Sequence, residues 1–140
     1  MEIYEIKGIY GDGYERWAEI KLEYDRESIY VHFIEYDEYL ENTDVPIKRE
    51  KGDILKGTIK IGLVTEYKVL NSNASGFVQS IDNSSNITAI GIVNEVEDND
   101  SLLCSINGLG ENIAVEFEDD VAINVGTIIE MNGSLELEIE

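Results

Sequence analysis

Basic residues stop at Lys68. The 72 positions after it hold no Lys and no Arg, against fourteen Asp and Glu, and the whole chain of 140 residues carries a formal charge of −20. Such a segment repels phosphate and anionic membrane, and its electrostatic partner is a cationic surface. Cysteine is nearly absent too. The single Cys104 excludes an intramolecular disulfide and a Cys-based zinc cluster. There is one histidine, His32, and one proline, Pro46. No apolar run approaches the ~18 residues that span a bilayer, and Met1 to Glu5 lacks the basic n-region of a signal peptide. These absences lead us to expect a soluble, cytoplasmic protein with no membrane partner. Hydrophobic residues make up 43% of the chain, which excludes a fully disordered acidic tail.

What is present is alternation. Ala18, Ile20 and Leu22 alternate with Trp17, Glu19 and Lys21. Ile29, Val31 and Phe33 alternate with Tyr30 and His32. Ile113, Val115 and Phe117 alternate with Ala114, Glu116 and Glu118. Leu135, Leu137 and Ile139 alternate with Glu136, Glu138 and Glu140. A period of two means strands with one buried and one wet face. Turn signals separate the runs: Gly11-Asp12-Gly13, Asp25 to Ser28, Asn99-Asp100 and Asn132-Gly133. The last is a hairpin signal of the type I′ kind. A short helical turn fits Tyr36 to Glu41, and no long segment keeps a helical period. The fold class is all-β.

The order of landmarks repeats. Ser28 to Phe33 lines up with Asn112 to Phe117, and Ile6-Lys7-Gly8-Ile9 with Ala89-Ile90-Gly91-Ile92. The Gly-to-Phe distance is 25 residues in one and 26 in the other. Gly52 and Gly57 match Gly126 and Gly133, and Gly57-Thr58-Ile59-Lys60-Ile61 matches Gly133-Ser134-Leu135-Glu136-Leu137. We expect a duplication: a first unit over 1–68, a linker with an extra strand over 69–85, and a second, strongly acidic unit over 86–140. Each unit resembles a small five-strand barrel of the oligonucleotide/oligosaccharide-binding (OB) type, or its SH3-like relative, on the closing Gly126 to Ile139 segment. The resemblance implies two tandem barrels packed together.

Catalytic inventory is thin. His32 lies in a strand and reads as a structural or surface histidine. Cys104 lies in the apolar run Leu102 to Ile106 and reads as a buried, inert thiol. Glu95 to Ser101 is acidic, yet it lacks the Gly and the distal Glu of a calcium loop. Gly108-Leu109-Gly110 has no following helix or Lys and is no phosphate cradle. We expect no enzyme, no catalytic residue, no metal and no cofactor.

The candidate binding residues are two groups. If strands three and five of the second unit are neighbours, Glu116, Glu118, Glu136, Glu138 and Glu140 share one face, with Asp119 and Asp120 at its edge. In the first unit, Trp17 and Tyr30 point outward as interface anchors. In charge, size and missing catalytic inventory the chain resembles bacterial immunity proteins and DNA-mimicking inhibitors such as anti-restriction or anti-CRISPR proteins. This implies a non-enzymatic acidic protein that blocks a basic protein partner, a nuclease or other nucleic-acid-binding protein, without touching nucleic acid itself. Two other expectations are an OB-like nucleic-acid or sugar reader using Trp17, and an accessory β-domain of a larger assembly.

Overall fold

The structure, a computed structural model, describes residues 2–21, 28–35 and 50–139. The expected helical turn at Tyr36 to Glu41, the turn over Asp25 to Glu27, and Glu140 lie outside the described residues. The described residues are all-β, with nine strands: β1 Glu2–Asp12, β2 Glu15–Lys21, β3 Ser28–Ile34, β4 Ile54–Leu70, β5 Gly76–Val78, β6 Asn86–Asp98, β7 Ser101–Ile106, β8 Gly110–Phe117 and β9 Ile128–Ile139.

The strands do not sort into two sheets, one per half. They form one sheet in the order β1-β2-β3-β9-β4-β8-β7-β6-β5, with additional pairings β1–β4 and β9–β6. Two hydrogen-bonded circuits result. One runs β1-β2-β3-β9-β4 and returns to β1; the other runs β4-β8-β7-β6-β9 and returns to β4. Both need the long strands β4 and β9, so each circuit is completed by a strand end from the other half of the chain.

Two local expectations are corrected here. Asn132-Gly133 is no hairpin: β9 runs straight through it, paired with β4 from Leu70↔Ile128 to Gly57↔Ile139. The pair is continuous except for a register shift between Gly62 and Glu66. Gly133 is there for space, since a Cβ would sit 2.7 Å from the Gly62 carbonyl oxygen and 2.9 Å from both Ile61 and Val64. Nor do the acidic strands form one row. β8 and β9 are not neighbours; β4 lies between them, so Lys60 divides the carboxylates of one from those of the other.

Burial follows the alternation. Val31, Phe33, Val115 and Phe117 are all buried, as are Ile59, Ile61, Leu135 and Leu137 on the two shared strands. They belong to one core cluster that also takes in Leu102, Cys104 and Met131. At ~1.5–3 kcal/mol per fully buried aliphatic or Phe side chain, this core is the dominant favourable term.

Candidate functional site: a groove where four strands meet

β4 and β9 make the two parallel contacts of the sheet. β3 lies parallel to β9 at His32↔Glu136, and β8 parallel to β4 at Lys60↔Ala114 and Ile61↔Val115. Between them Lys60 faces Glu136 in the antiparallel β4–β9 pair. Register therefore sets a row across six strands: Tyr10, Trp17, His32, Glu136, Lys60, Ala114.

The charged end of that row is closely coupled. His32 Nδ1 lies 2.5 Å from Glu136 Oε2, and His32 Nε2 lies 3.2 Å from Glu15 Oε1. The Lys60 ammonium donates to Glu116 Oε1 at 3.0 Å. Its pKa is raised by that bond first and by the fields of Glu116, Glu138 and Glu136, with partial burial acting the other way. Beside these groups lies a groove of about 550 Å³, whose apolar walls include Ile34, Leu63 and Leu137. Space for it comes from Gly62, which presents no side chain next to Lys60. At the following residue the backbone turns: Leu63 takes φ 56° and stands 62% exposed at the lip. That conformation costs a non-Gly residue roughly 1–2 kcal/mol.

The aromatic end is stacked. Tyr10 and Trp17 have ring centroids 5.2 Å apart and planes 13° apart, and Trp17 lies 5.2 Å from the His32 ring at 51°. The Tyr10 hydroxyl donates to the Asn83 carbonyl. Tyr30 is half-buried beside the same segment. The Gln79 side-chain amide bridges its backbone, accepting from Tyr30 N at 2.9 Å and donating to Tyr30 O at 2.8 Å. Burial, then Glu19 and Asp82, push the Tyr30 phenol up.

A separate acidic tip forms at the β6–β7 turn. Phe117 N donates to Asp100 O and Val121 N to Asn99 O, both at 2.8 Å. These bonds hold Glu97, Asp98 and Asp100 beside Glu118, Asp119 and Asp120, all exposed. Asp98 accepts from Asn99 N at 2.8 Å and so caps the turn. Cys104 is fully buried, and burial raises its thiol pKa to about 11.

Of the residues singled out from sequence, Glu116, Glu136 and Glu138 come together at the groove. Trp17 joins them through His32. Glu118, Asp119 and Asp120 lie apart on the tip, and Tyr30 lies against the 79–83 segment. Sequence reasoning missed Lys60 and Leu63, and it left His32 without a role. The signal for Lys60 was available, because the repeat aligns it with Glu136. No family model, no curated protein and no solved structure matches this chain. No helix among the described residues is long and apolar enough to cross a membrane.

Proposed function

We propose that this protein is a non-enzymatic binding protein that covers the basic, nucleic-acid-gripping surface of a protein partner, as immunity proteins and DNA-mimicking inhibitors do. The acidic tip carries this reading. Two backbone hydrogen bonds gather its carboxylates on one end of the molecule, in a half of the chain that contains no Lys or Arg. Like charges gathered on one turn repel one another, and such self-repulsion works against the compact state. A cationic partner offsets that cost on binding. The field also steers encounter, which acts mainly on the association rate and weakens as salt shortens the Debye length from about 10 Å at 0.1 M to about 3 Å at 1 M.

The variant that tests this neutralises Glu97 and Glu118 to Gln and Asp119 and Asp120 to Asn. These side chains are exposed and make no ion pair or hydrogen bond among the described residues, so the fold is retained. Stopped-flow mixing with the captured basic partner should show slower association and a flatter salt dependence. Unchanged rates and slope would mean that the acidity serves solubility alone. A second reading, single-strand or sugar binding, is favoured by the Tyr10–Trp17 stack. Single-strand binding at about 0.15 M salt that is lost on Trp17→Ala would replace the first reading, because phosphate binding normally needs a basic groove.

We also propose that the two circuits are duplicated five-strand barrels that exchanged strands. The support is an exchange of partners. The repeat aligns His32 with Glu116 and Glu136 with Lys60. The His32–Glu136 contact then maps onto the Glu116–Lys60 contact, and both are present. The β3–β9 and β4–β8 pairings are both parallel and join corresponding strands, with registers that differ by two residues: His32↔Glu136 in one, Lys60↔Ala114 in the other.

A further inference from the structure

The groove holds more negative charge than its own cations neutralise. Glu116, Glu136 and Glu138 line it, with Lys60 and His32 as the basic groups. Lys60 is committed to Glu116 at 3.0 Å. His32 is committed to Glu136 at 2.5 Å, with Glu15 on its other nitrogen. Even with His32 protonated, three carboxylates face two cations, and Glu138 makes no ion pair or hydrogen bond among the described residues. The same groove has apolar lining open to solvent: Leu63 is 62% and Ile34 47% exposed.

A cation on a slender aliphatic stem matches both features. We propose that the groove is the seat of an arginine side chain presented by the basic partner, with its methylenes on Leu63 and Ile34 and its guanidinium on Glu138 and Glu136. Arginine fits better than lysine on three counts. Its planar fork engages carboxylates bidentately, it is more weakly hydrated than an ammonium, and it is favoured at buried interface ion pairs. It is also among the residue types that dominate binding energy at interfaces. The proposal rests on the reading of the chain as a binder of basic proteins. It adds to that reading a place where one partner residue is held, distinct from the tip that steers the approach.

The test uses the full chain, labelled with nitrogen-15, and Nα-acetyl-argininamide as probe. Nα-acetyl-citrullinamide, of the same shape without charge, and Nα-acetyl-lysinamide are the comparisons. The arginine probe should shift the amides of residues 60–63 and 136–138. The citrulline probe should leave them in place, and the lysine probe should bind at least threefold more weakly than arginine. Glu138→Gln should weaken arginine binding at least fivefold, while the four-fold tip variant binds the probe as the parent does. Equal responses to arginine and citrulline, shifts confined to 97–100 and 118–120, or an unchanged Glu138→Gln would each overturn the proposal. With a basic partner in hand, Glu138→Gln should speed dissociation and leave the association rate nearly unchanged. A partner that associates in a tip-dependent way and dissociates from Glu138→Gln at the parent rate removes the groove proposal alone. An arginine response at the groove in a protein that binds no basic partner supports the groove and removes the wider reading.

Discussion

Replacing Gly133 with Ala tests the crossing of β4 and β9 directly. The dipeptide Asn132-Gly133 suggests a glycine needed for positive φ in a turn. In the structure Gly133 does not take a positive φ; it is hemmed in by the Gly62 carbonyl oxygen at 2.7 Å and two branched side chains at 2.9 Å from where a Cβ would stand. Overpacking of this kind costs about 1–3 kcal/mol. The nearest atom is backbone, which yields least, so we expect the upper part of that range, about 2–3 kcal/mol. Two other glycines calibrate the result. Gly13 has φ 60° and open space around it, so Gly13→Ala should cost only backbone strain, about 1 kcal/mol. Gly62 has neither constraint, its Cβ position being 3.5 Å from the Glu136 side chain, and Gly62→Ala should be close to neutral. Equilibrium urea unfolding should rank the three by midpoint at a constant slope. With slopes of about 1–3 kcal/mol/M, Gly133→Ala should lower the midpoint by roughly 0.7–3 M. Gly133→Asn separates the two accounts further. Asn tolerates positive φ better than Ala but needs more room, so it should be the worse substitution. A Gly133→Ala cost at or below that of Gly13→Ala, with Asn better than Ala, would refute the crossing and restore the turn.

Two further outcomes are expected. Arg16 is fully buried, with Nε donating to Glu35 Oε2 at 3.0 Å and Nη1 to the carbonyls of Gly13 and Glu15 at 2.8 Å; Arg16→Met, which leaves the buried Glu35 carboxylate without that cation, should destabilise by about 3–5 kcal/mol in the same urea assay. The Cys104 thiol is raised to about 11 in the fold, so the folded state holds its proton more tightly than the unfolded one. Stability is full below about pH 8.5–9 and falls as pH rises toward 11, by about 3 kcal/mol at 1.36 kcal/mol per pKa unit. Urea midpoints from pH 8 to 11 should show the fall. Cys104→Ala should flatten it, leaving the smaller alkaline losses that the raised Tyr30 and Lys60 predict, and an identical slope in that variant would sink the assignment.

The period-two pattern made the strand interiors legible. Alternation puts Val31, Phe33, Val115 and Phe117 inside and Glu116 and Glu136 outside because each strand has one apolar face, a property of sequence alone. Pairing between distant strands was not legible. Nothing local to Gly57 or Gly133 says that the strand continues through it, since a glycine that makes a turn and one that admits a crossing backbone are the same letter. The acidic face was misplaced for that reason. With β9 assumed to lie beside β8, five glutamates form one row; with β4 between them, Lys60 and His32 take two of those carboxylates. Neutralising Glu116 and Glu136 therefore removes ion pairs as well as repulsion, and the solvated tip is the better place to vary charge. The Tyr10–Trp17–His32 stack was half legible: outward aromatics were visible, but their register across β1, β2 and β3 was not.

The Lys60–Glu136 pair bears on why the chain is a single polypeptide. On the duplication reading, positions 60 and 136 are equivalent, and they are also register partners of each other. They therefore lie on the approximate two-fold axis relating the halves. In a dimer of identical units the residue on that axis faces its own copy, so an ionisable group there meets a like charge, which destabilises a strand pair. On the same reading, fusion lets the two copies differ, and position 60 is Lys where position 136 is Glu. The same divergence made the equivalent pair His32 and Glu116 unlike, turning two symmetric contacts into a histidine–carboxylate pair on one side and an ammonium–carboxylate pair on the other. Glu138 shows what the loss of symmetry leaves over. Its equivalent on the duplication reading is Gly62, which presents no side chain on one wall of the groove while Glu138 places a carboxylate on the other. On that reading, the asymmetry that allows opposite charges to meet on the axis is the same asymmetry that leaves the groove open beside Glu138, which makes no ion pair or hydrogen bond among the described residues.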